Sequence, residues 1–367
     1  MKIAIDVHSI GAQAGGNETF YRQLLKGLAQ DASPNQYTLF YTHPQALAAA
    51  RLDDRFRWVQ IPQNALRRIC VSIPALLKAL RPDVIHCQYI LPPRITSKTV
   101  ITIHDIAHER HPEFSPWLEG IRMRKLVPWS AHRADHIITV SEFSANDLVS
   151  LYGVPRSKIT VAYQAPSPVF QPGDKTAAKA QLQRTYGIGC SFILYVGRLQ
   201  ARKNLIRLTE AFAGVRNRHP QLKLVLVGKA DLGYDKLLAR ISELKLGDAV
   251  IFSGYVSSDD LPLFYNAAEM FVFPSIFEGF GLPVMESMAS GLPTITSNGS
   301  CLAEVAGNGA LLVDPLSVES IAEAMTRVLE DAAVRRELVE RGLERSACFS
   351  TARFAAKILD VYKSIAR

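Results

Sequence analysis

The sequence predicts an α/β protein made of two doubly wound parallel-sheet domains. Three observations lead to that expectation. Short β-rich runs alternate with helix-length segments along the whole chain, as when parallel strands are joined by right-handed crossovers. The alternation is interrupted once, by APSPVFQPGDK, a proline-rich polar stretch that reads as a linker. The length, 367 residues, suits two domains of roughly 150 residues each better than one.

The first series opens with the strand KIAIDV and the helical segment NETFYRQLLKGLAQ. YTLFYT, PDVIHCQ, TVITIHD, DHIITVS and KITVAYQ follow as further β-rich runs. Beyond the linker, FILYVGR, LKLVLVG, AVIFSGYV, EMFVFPS, PTITS and GALLVDP repeat the pattern, and LIRLTEAFAGVRN between two of them has the apolar spacing of an amphipathic helix. The chain ends in the helical segments SVESIAEAMTRVLEDAAVRRELVERGLERSACFS and TARFAAKILDVYKSIAR. Ligands of such folds bind at the C-terminal ends of the strands, so two halves facing one cleft suit a reaction between two substrates.

Composition bounds the function. Hydrophobic content of 48% with 21% charged residues is that of a soluble globular protein. No apolar run approaches the roughly 18 residues needed to span a bilayer. MKIAIDVHS goes directly into a strand without the layout of a signal peptide, and the five scattered cysteines contain no C-x-x-C; both point to a cytoplasmic protein. The formal charge of +8 favours an anionic partner. Nucleic acid is disfavoured by the lack of any binding motif, which leaves a phosphorylated small molecule or an anionic membrane surface. Two segments that mix Arg and Lys with Leu, Ile and Trp, NALRRICVSIPALLKALR and WLEGIRMRKLVPWSAHR, suit peripheral contact with such a surface.

The chemistry concentrates at PSIFEGFGLPVMESMASG, residues 274–291. It follows a strand and precedes another, and its glycines and Pro283 read as a turn opening a short helix that stops at Gly291 and Pro293. Bare N–H groups and the positive end of that helix suit a phosphate, and Glu278 and Glu286 could accept hydrogen bonds from a hydroxylated group on each side of it. In VGRLQARKNL, Arg198 and Lys203 could clamp a diphosphate, with Arg202 able to replace either. His104 and Asp105 are expected to end the strand TVITIHD, at the ligand edge. Gly15 and Gly16 lie in the first strand–helix loop before Asn17, a potential N-cap. His104, His108 and His111 lack the carboxylate or cysteine spacing of a metal site, and no D-x-D motif occurs, so no metal is expected at the diphosphate. The absence of G-x-G-x-x-G disfavours a dinucleotide oxidoreductase.

These residues resemble a known family. PSIFEGFGLPVMESMASGLP is similar to the E-x7-E signature of retaining glycosyltransferases of the GT-B fold, sequence family 4. VGRLQARKNL, TVITIHDIAHERHPEFSP, ITVSEFSANDL and NGSCLAEVAGNGALLVDP resemble further segments of it in the same order, so the likeness spans nearly the whole chain. Within the family, the His-Asp and GNGALLVDP segments look most like bacterial polysaccharide mannosyltransferases. The resemblance implies two Rossmann-like domains facing a central cleft: residues 1–170 plus 351–367 binding the acceptor, and 171–350 binding the donor, with the last helix crossing back to the first domain. It implies catalytic roles for His104 near the sugar, Arg198 and Lys203 on the diphosphate, and Glu278 at the transferred sugar. Donor contacts would come from Gly15, Gly16, Gly228, Val256, Ser275, Gly279, Phe280, Gly281, Leu282 and, on the ribose, Glu286. The expected reaction is hexosyl transfer with retention, from GDP-mannose foremost, to a glycan or lipid-linked acceptor, without cofactor or metal. A UDP-sugar donor, or a binding subunit that has lost activity, are the alternatives.

Overall fold

Apolar runs of four to six residues, bounded by turn residues and repeatedly followed by helices, form two wholly parallel sheets. The computed structural model describes residues 1–12, 15–48, 52–114 and 116–366. It divides into two compact units, Met1–Ala165 with Phe349–Arg367, and Pro166–Cys348. The division lies five residues before the expected 170, and the chain returns at Phe349 rather than 351.

The first sheet contains β1 (Lys2–Asp6), β2 (Gln36–Tyr41), β3 (Phe56–Gln60), β4 (Val84–Gln88), β5 (Lys98–Thr102), β6 (His136–Thr139) and β7 (Ile159–Val161), in spatial order β3-β2-β1-β4-β5-β6-β7. The second contains β8 (Phe192–Val196), β9 (Lys223–Val227), β10 (Val250–Gly254), β11 (Met270–Phe273), β12 (Thr294–Ser297) and β13 (Leu311–Val313), in order β10-β9-β8-β11-β12-β13. Each sheet therefore reverses direction once, between β1 and β4 and between β8 and β11. A crevice opens at such a reversal, because the two flanking strands send their connections to opposite faces.

Central strands are buried on both faces, which explains their unbroken apolar runs: every residue of β4 and of β8 is buried. The edge strand β3, FRWVQ, was not expected from the sequence. Only Phe56 of it is buried, and Arg57 and Gln60 face solvent, so it lacks an apolar run.

The last helix, Thr351–Ile365, packs on the first, Gly16–Gln30. Phe20 and Phe354 meet edge to face with centroids 5.0 Å apart. Burying rings of this size contributes roughly 1.5–3 kcal/mol each. A Cβ at Gly27 would lie 2.3 Å from the Ala355 Cβ, so the close approach of the two helices requires glycine there. Two local expectations are corrected. The cap of the first helix is Gly15, at φ 61°, and Asn17 lies inside the first turn, because only glycine adopts that backbone freely. β5 ends at Thr102, so His104 lies in the loop beyond it.

Candidate active site

The second unit gathers its charged residues at the β8/β11 reversal. The loop after β11 is tied down on both sides. Ser297 Oγ donates to the Ser275 carbonyl at 2.6 Å, Glu278 N donates to Ser300 Oγ at 3.3 Å, and Cys301 Sγ donates to the Glu278 carbonyl at 3.1 Å. Gly281 then caps the helix Leu282–Ala289 at φ 93°, where an added Cβ would come within 2.4 Å of Leu302 Cδ2. Gly279, Phe280 and Leu282 are buried along this turn.

The loop after β8 closes from the other side. Asn204 adopts the left-handed conformation at φ 61°, and its side-chain amide donates to the carbonyls of Pro274 (3.1 Å) and Pro315 (2.5 Å). Ile276 N donates to the Arg202 carbonyl at 2.9 Å. Lys203 and Glu278, each more than nine-tenths buried, form an ion pair. Arg202 Nη1 reaches the second Glu278 oxygen at 3.2 Å and the Phe277 carbonyl at 2.9 Å. Lys203 Nζ also lies 5.0 Å from the centre of the Phe273 ring. Burial alone would push the Glu278 carboxyl up, but Arg202 and Lys203 outweigh it and hold the pKa below the usual carboxylate value.

Arg198 stands apart from this cluster. Its side chain is 51% exposed and pairs with Asp231 at 3.2 Å. Tyr195 OH donates to the Arg198 carbonyl at 3.0 Å. The two cations expected to clamp a diphosphate differ in setting: Lys203 is buried against a glutamate and Arg198 is accessible at the surface.

Glu286 lies in the second turn of its helix, half-buried, and accepts from Tyr265 OH at 2.9 Å. Burial pushes its pKa up to about 7, with the Tyr265 hydrogen bond opposing. Gly228 follows β9 at φ 147°, and a Cβ there would lie 1.9 Å from the Gly197 carbonyl oxygen, so the ends of β8 and β9 meet only because the residue is glycine. Gly228 N donates to Gly254 O at 2.8 Å. Val256 is buried beyond, while Tyr255 is exposed with Lys229 Nζ 5.2 Å from its ring centre.

In the first unit, His104 is buried. Its Nε2 lies 3.0 Å from the Gln88 amide nitrogen, Ser144 Oγ donates to its carbonyl at 2.9 Å, and Phe20 meets its ring edge to face. Burial lowers its pKa to about 4, so the ring is neutral near pH 7. The Gln88 amide nitrogen can only donate, which places the ring proton on Nδ1. Gly15 and Gly16 stand in open space. Gln13 and Ala14 of the same loop lie outside the described residues. Among the described residues no three His, Cys, Asp or Glu side chains gather as metal ligands would; His108 is bonded to Tyr152 OH and His111 to Glu113.

Sequence reasoning did not identify Gln88, Asn204, Tyr265 or Ser300 as part of these arrangements. Gln88 ends the run PDVIHCQ, and a polar residue closing an apolar strand was the available signal. The others act through partners distant in sequence. Chemically, the second unit offers fixed cations and a helix N-terminus for an anion, with carboxylates beside them for hydroxyl groups.

Comparison with known proteins agrees with this chemistry. Residues 14–165 match Glycosyltransferase Family 4, and residues 189–345 match Glycosyl transferases group 1. O-antigen chain mannosyltransferase B of Escherichia coli is 32% identical over 75% of this chain and 72% of its own length. The serotype-specific mannosyltransferase WbdA of E. coli is 32% identical over 70% of this chain, which spans only 32% of that longer protein. Sucrose-phosphate synthase from Thermosynechococcus elongatus superposes with a TM-score of 0.81 at 25% identity, covering 99% of this chain and 98% of its own. The chain belongs to the group 1 glycosyltransferases, family 4, and has their GT-B fold of two parallel-sheet α/β domains.

Proposed function

We propose that this glycosyltransferase moves a mannosyl unit from GDP-mannose, with retention of configuration, to a glycan or lipid-linked saccharide during bacterial polysaccharide synthesis. The observation that carries the reading is the buried Lys203–Glu278 pair with the partly exposed Arg202 beside it, at the β8/β11 reversal and next to the helix that bears Glu286. The names of the E. coli relatives support mannose. Arg198 and Lys203 hold the diphosphate, Glu278 meets hydroxyls of the sugar, and Glu286 accepts from the ribose diol. The diphosphate charge is met by these cations and by the N-terminus of the helix Leu282–Ala289, so turnover should persist in a chelator.

Retention follows from front-face substitution. The acceptor oxygen bonds to the anomeric carbon on the side from which the phosphate oxygen departs, and that oxygen takes the hydroxyl proton. A covalent role for Glu278 is disfavoured, since two cations hold its carboxylate at low basicity and hence low nucleophilicity. Calorimetry and thermal shift against GDP, UDP, GDP-mannose, UDP-glucose and NAD test the donor. Saturating GDP at about 100 times its dissociation constant adds roughly 2.7 kcal/mol of stability. Stabilisation by UDP alone would replace the donor, and by NAD alone would remove the reading.

A membrane surface is a second partner in this reading. Trp117 and Leu118 are 74% and 73% exposed at the start of the helix Trp117–Arg133, whose outward residues include Arg122, Arg124 and Lys125. Leu66 and Val71 are exposed in the other basic segment, beside Arg67. Among the described residues no helix is long and apolar enough to cross a membrane, so contact would be peripheral. Sedimentation with vesicles rich in phosphatidylglycerol at low salt checks it; no binding there would end the idea.

A further inference from the structure

The first unit has a cavity that none of the donor chemistry above uses. It measures about 540 Å³, opens to solvent, and is lined by Glu109, Arg110, Pro128, Leu151 and Tyr152. These residues come from three helices, Ala107–Arg110, Trp117–Arg133 and Glu142–Tyr152. The third begins at the ligand edge of the sheet, where Ser144 Oγ donates to the His104 carbonyl. Tyr152 is its last residue, about 12 Å further along the axis at 1.5 Å per residue.

The polar walls of the cavity are held in place. Tyr152 OH donates to Glu109 Oε1 at 3.2 Å, and the same oxygen lies 3.0 Å from His108 Nε2. Burial pushes the Tyr152 phenol up and the His108 ring down from their ordinary values, so near pH 7 the phenol keeps its proton and the ring is neutral. Since the phenol proton goes to Glu109, His108 Nε2–H is the donor in the second bond. Arg110 gives Nε (3.2 Å) and Nη2 (2.5 Å) to one oxygen of Asp147, a carboxylate only 3% exposed. Glu109 Oε2 and Arg110 Nη1 have no hydrogen-bond partner among the described residues, so two consecutive residues keep an acceptor and a donor for a ligand. Pro128 and the half-exposed Leu151 supply the apolar part.

We propose that this cavity binds a neutral glycan away from the reacting groups, with Glu109 accepting from one hydroxyl, Arg110 donating to its neighbour, and Pro128, Leu151 and the Tyr152 ring covering the C–H face of the sugar. It rests on the glycosyl-transfer reading above, which brings glycan chains to this protein. The lining selects the ligand class. Small-ligand sites of roughly 300–1,000 Å³ combine apolar walls with a few placed polar groups, as this one does. A free anion would be repelled by the Glu109 carboxylate, and a purely apolar ligand would strip water from a carboxylate and a guanidinium and replace it with nothing. A sugar hydroxyl both donates and accepts, so adjacent hydroxyls satisfy both groups without adding charge. The Asp147 ion pair and the Tyr152 bonds already fix the walls, so binding orders little that was free. The site retains part of a long glycan and touches no reacting atom.

An α-linked mannotetraose, added to the full chain without any donor, is the probe. Leu151 is the reporter: its methyl resonances, assigned by their loss in Leu151→Arg, should shift as the tetraose is added. Glu109→Ala leaves the Arg110–Asp147 pair intact, and the same titration should show binding weakened roughly tenfold, the loss of one good hydrogen bond. Leu151→Arg fills the cavity from an exposed position, and should raise the KM of a long α-mannan acceptor more than that of a mannobioside. Leu151 methyls that ignore the tetraose, or that titrate identically in Glu109→Ala, overturn the proposal. So does a shift produced by glycerophosphoethanolamine and not by the tetraose, which would make the cavity a lipid-headgroup site. Because the shift is read without donor, wild-type protein that binds the tetraose at Leu151 but fails to bind GDP counts against the donor reading alone. Silent methyls in protein that binds GDP count against the glycan site alone.

Discussion

Lys203 and Glu278, 75 residues apart in the chain, form a buried ion pair across the reversal of the second sheet. Removing one partner of such a pair leaves an uncompensated buried charge and costs about 3–5 kcal/mol. Lys203→Met leaves Glu278 with Arg202 at 3.2 Å, so the denaturation midpoint should fall, by less than that full cost. Lys203→Met combined with Glu278→Gln should recover most of the stability, because neither buried charge remains and Arg202 keeps partial contact with water and its bond to the Phe277 carbonyl. Turnover should stay down by about 10²-fold or more in both, as when a main stabiliser of the departing phosphate is lost. Urea unfolding paired with turnover separates the two effects, and a single variant that keeps both would remove the pair from the mechanism.

Arg198 predicts the opposite balance. Its side chain is half exposed and its partner Asp231 lies 3.2 Å away at the surface. Surface ion pairs contribute about 0–1 kcal/mol, so Arg198→Ala should unfold within that margin of wild type. Turnover should nevertheless fall by about 10²-fold if its guanidinium meets the diphosphate. Near-normal turnover in a fully folded variant would leave Lys203 and Arg202 as the cations that matter.

The contrast between these two cations marks where the sequence stops being informative. VGRLQARKNL shows basic residues after a strand, but not that Lys203 turns inward to Glu278 while Arg198 turns outward to Asp231. Asn204, left-handed and next to Lys203, is anchored to Pro274 and Pro315, contacts 70 and 111 residues away that no local pattern shows. The fold was more legible. All six strands of the second sheet read as β-rich runs, and the central β8 and β11, buried throughout, need continuous apolar sequence. β3 escaped notice because an edge strand does not. Glu278 and Glu286 are visible from their spacing around glycines, whereas His86 and Tyr362 meet only through the return of the last helix, and no local pattern announces them.

Glu286 gives the second unit a characteristic pH dependence. Its pKa is raised by burial to about 7, above the ordinary value of 4.5. Between those values the folded state keeps a proton that the unfolded chain has lost, so this group's contribution to stability declines as pH rises from about 4.5 to 7 and is flat above. The effect is at most about 3 kcal/mol, and smaller because the half-buried side chain keeps some contact with water. Glu286→Gln should remove this component, so the variant gains on wild type as pH rises. An ionised carboxylate accepts better from a ribose diol, so GDP affinity should climb between pH 6 and 8 in wild type and stay level in Glu286→Gln. Calorimetry at three pH values checks it; parallel curves for the two proteins would dissociate Glu286 from the ribose.

The first unit carries the opposite slope. His86 is fully buried, with Nδ1 2.6 Å from Tyr362 OH and Nε2 2.6 Å from Thr102 Oγ1. Burial lowers its pKa to about 3, with the neighbouring His104 adding to the effect, and His104 itself falls to about 4. As pH drops below the ordinary value of 6.5, the unfolded chain takes up protons that these two rings refuse, so stability is lost on acidification. With both rings unprotonated in the fold, the slope between about pH 6 and 4 approaches roughly 2.7 kcal/mol per pH unit. Tyr362 belongs to the last helix, so the first local opening should release that helix from the sheet. Hydrogen exchange on the full chain should show amides of Thr351–Ile365 losing protection as pH falls, after correction for intrinsic exchange rates. His86→Gln keeps a hydrogen-bonding side chain without a titrating one, and should cut the pH slope by about half even if its absolute stability is lower. An undiminished slope in that variant would assign the acid sensitivity to other groups.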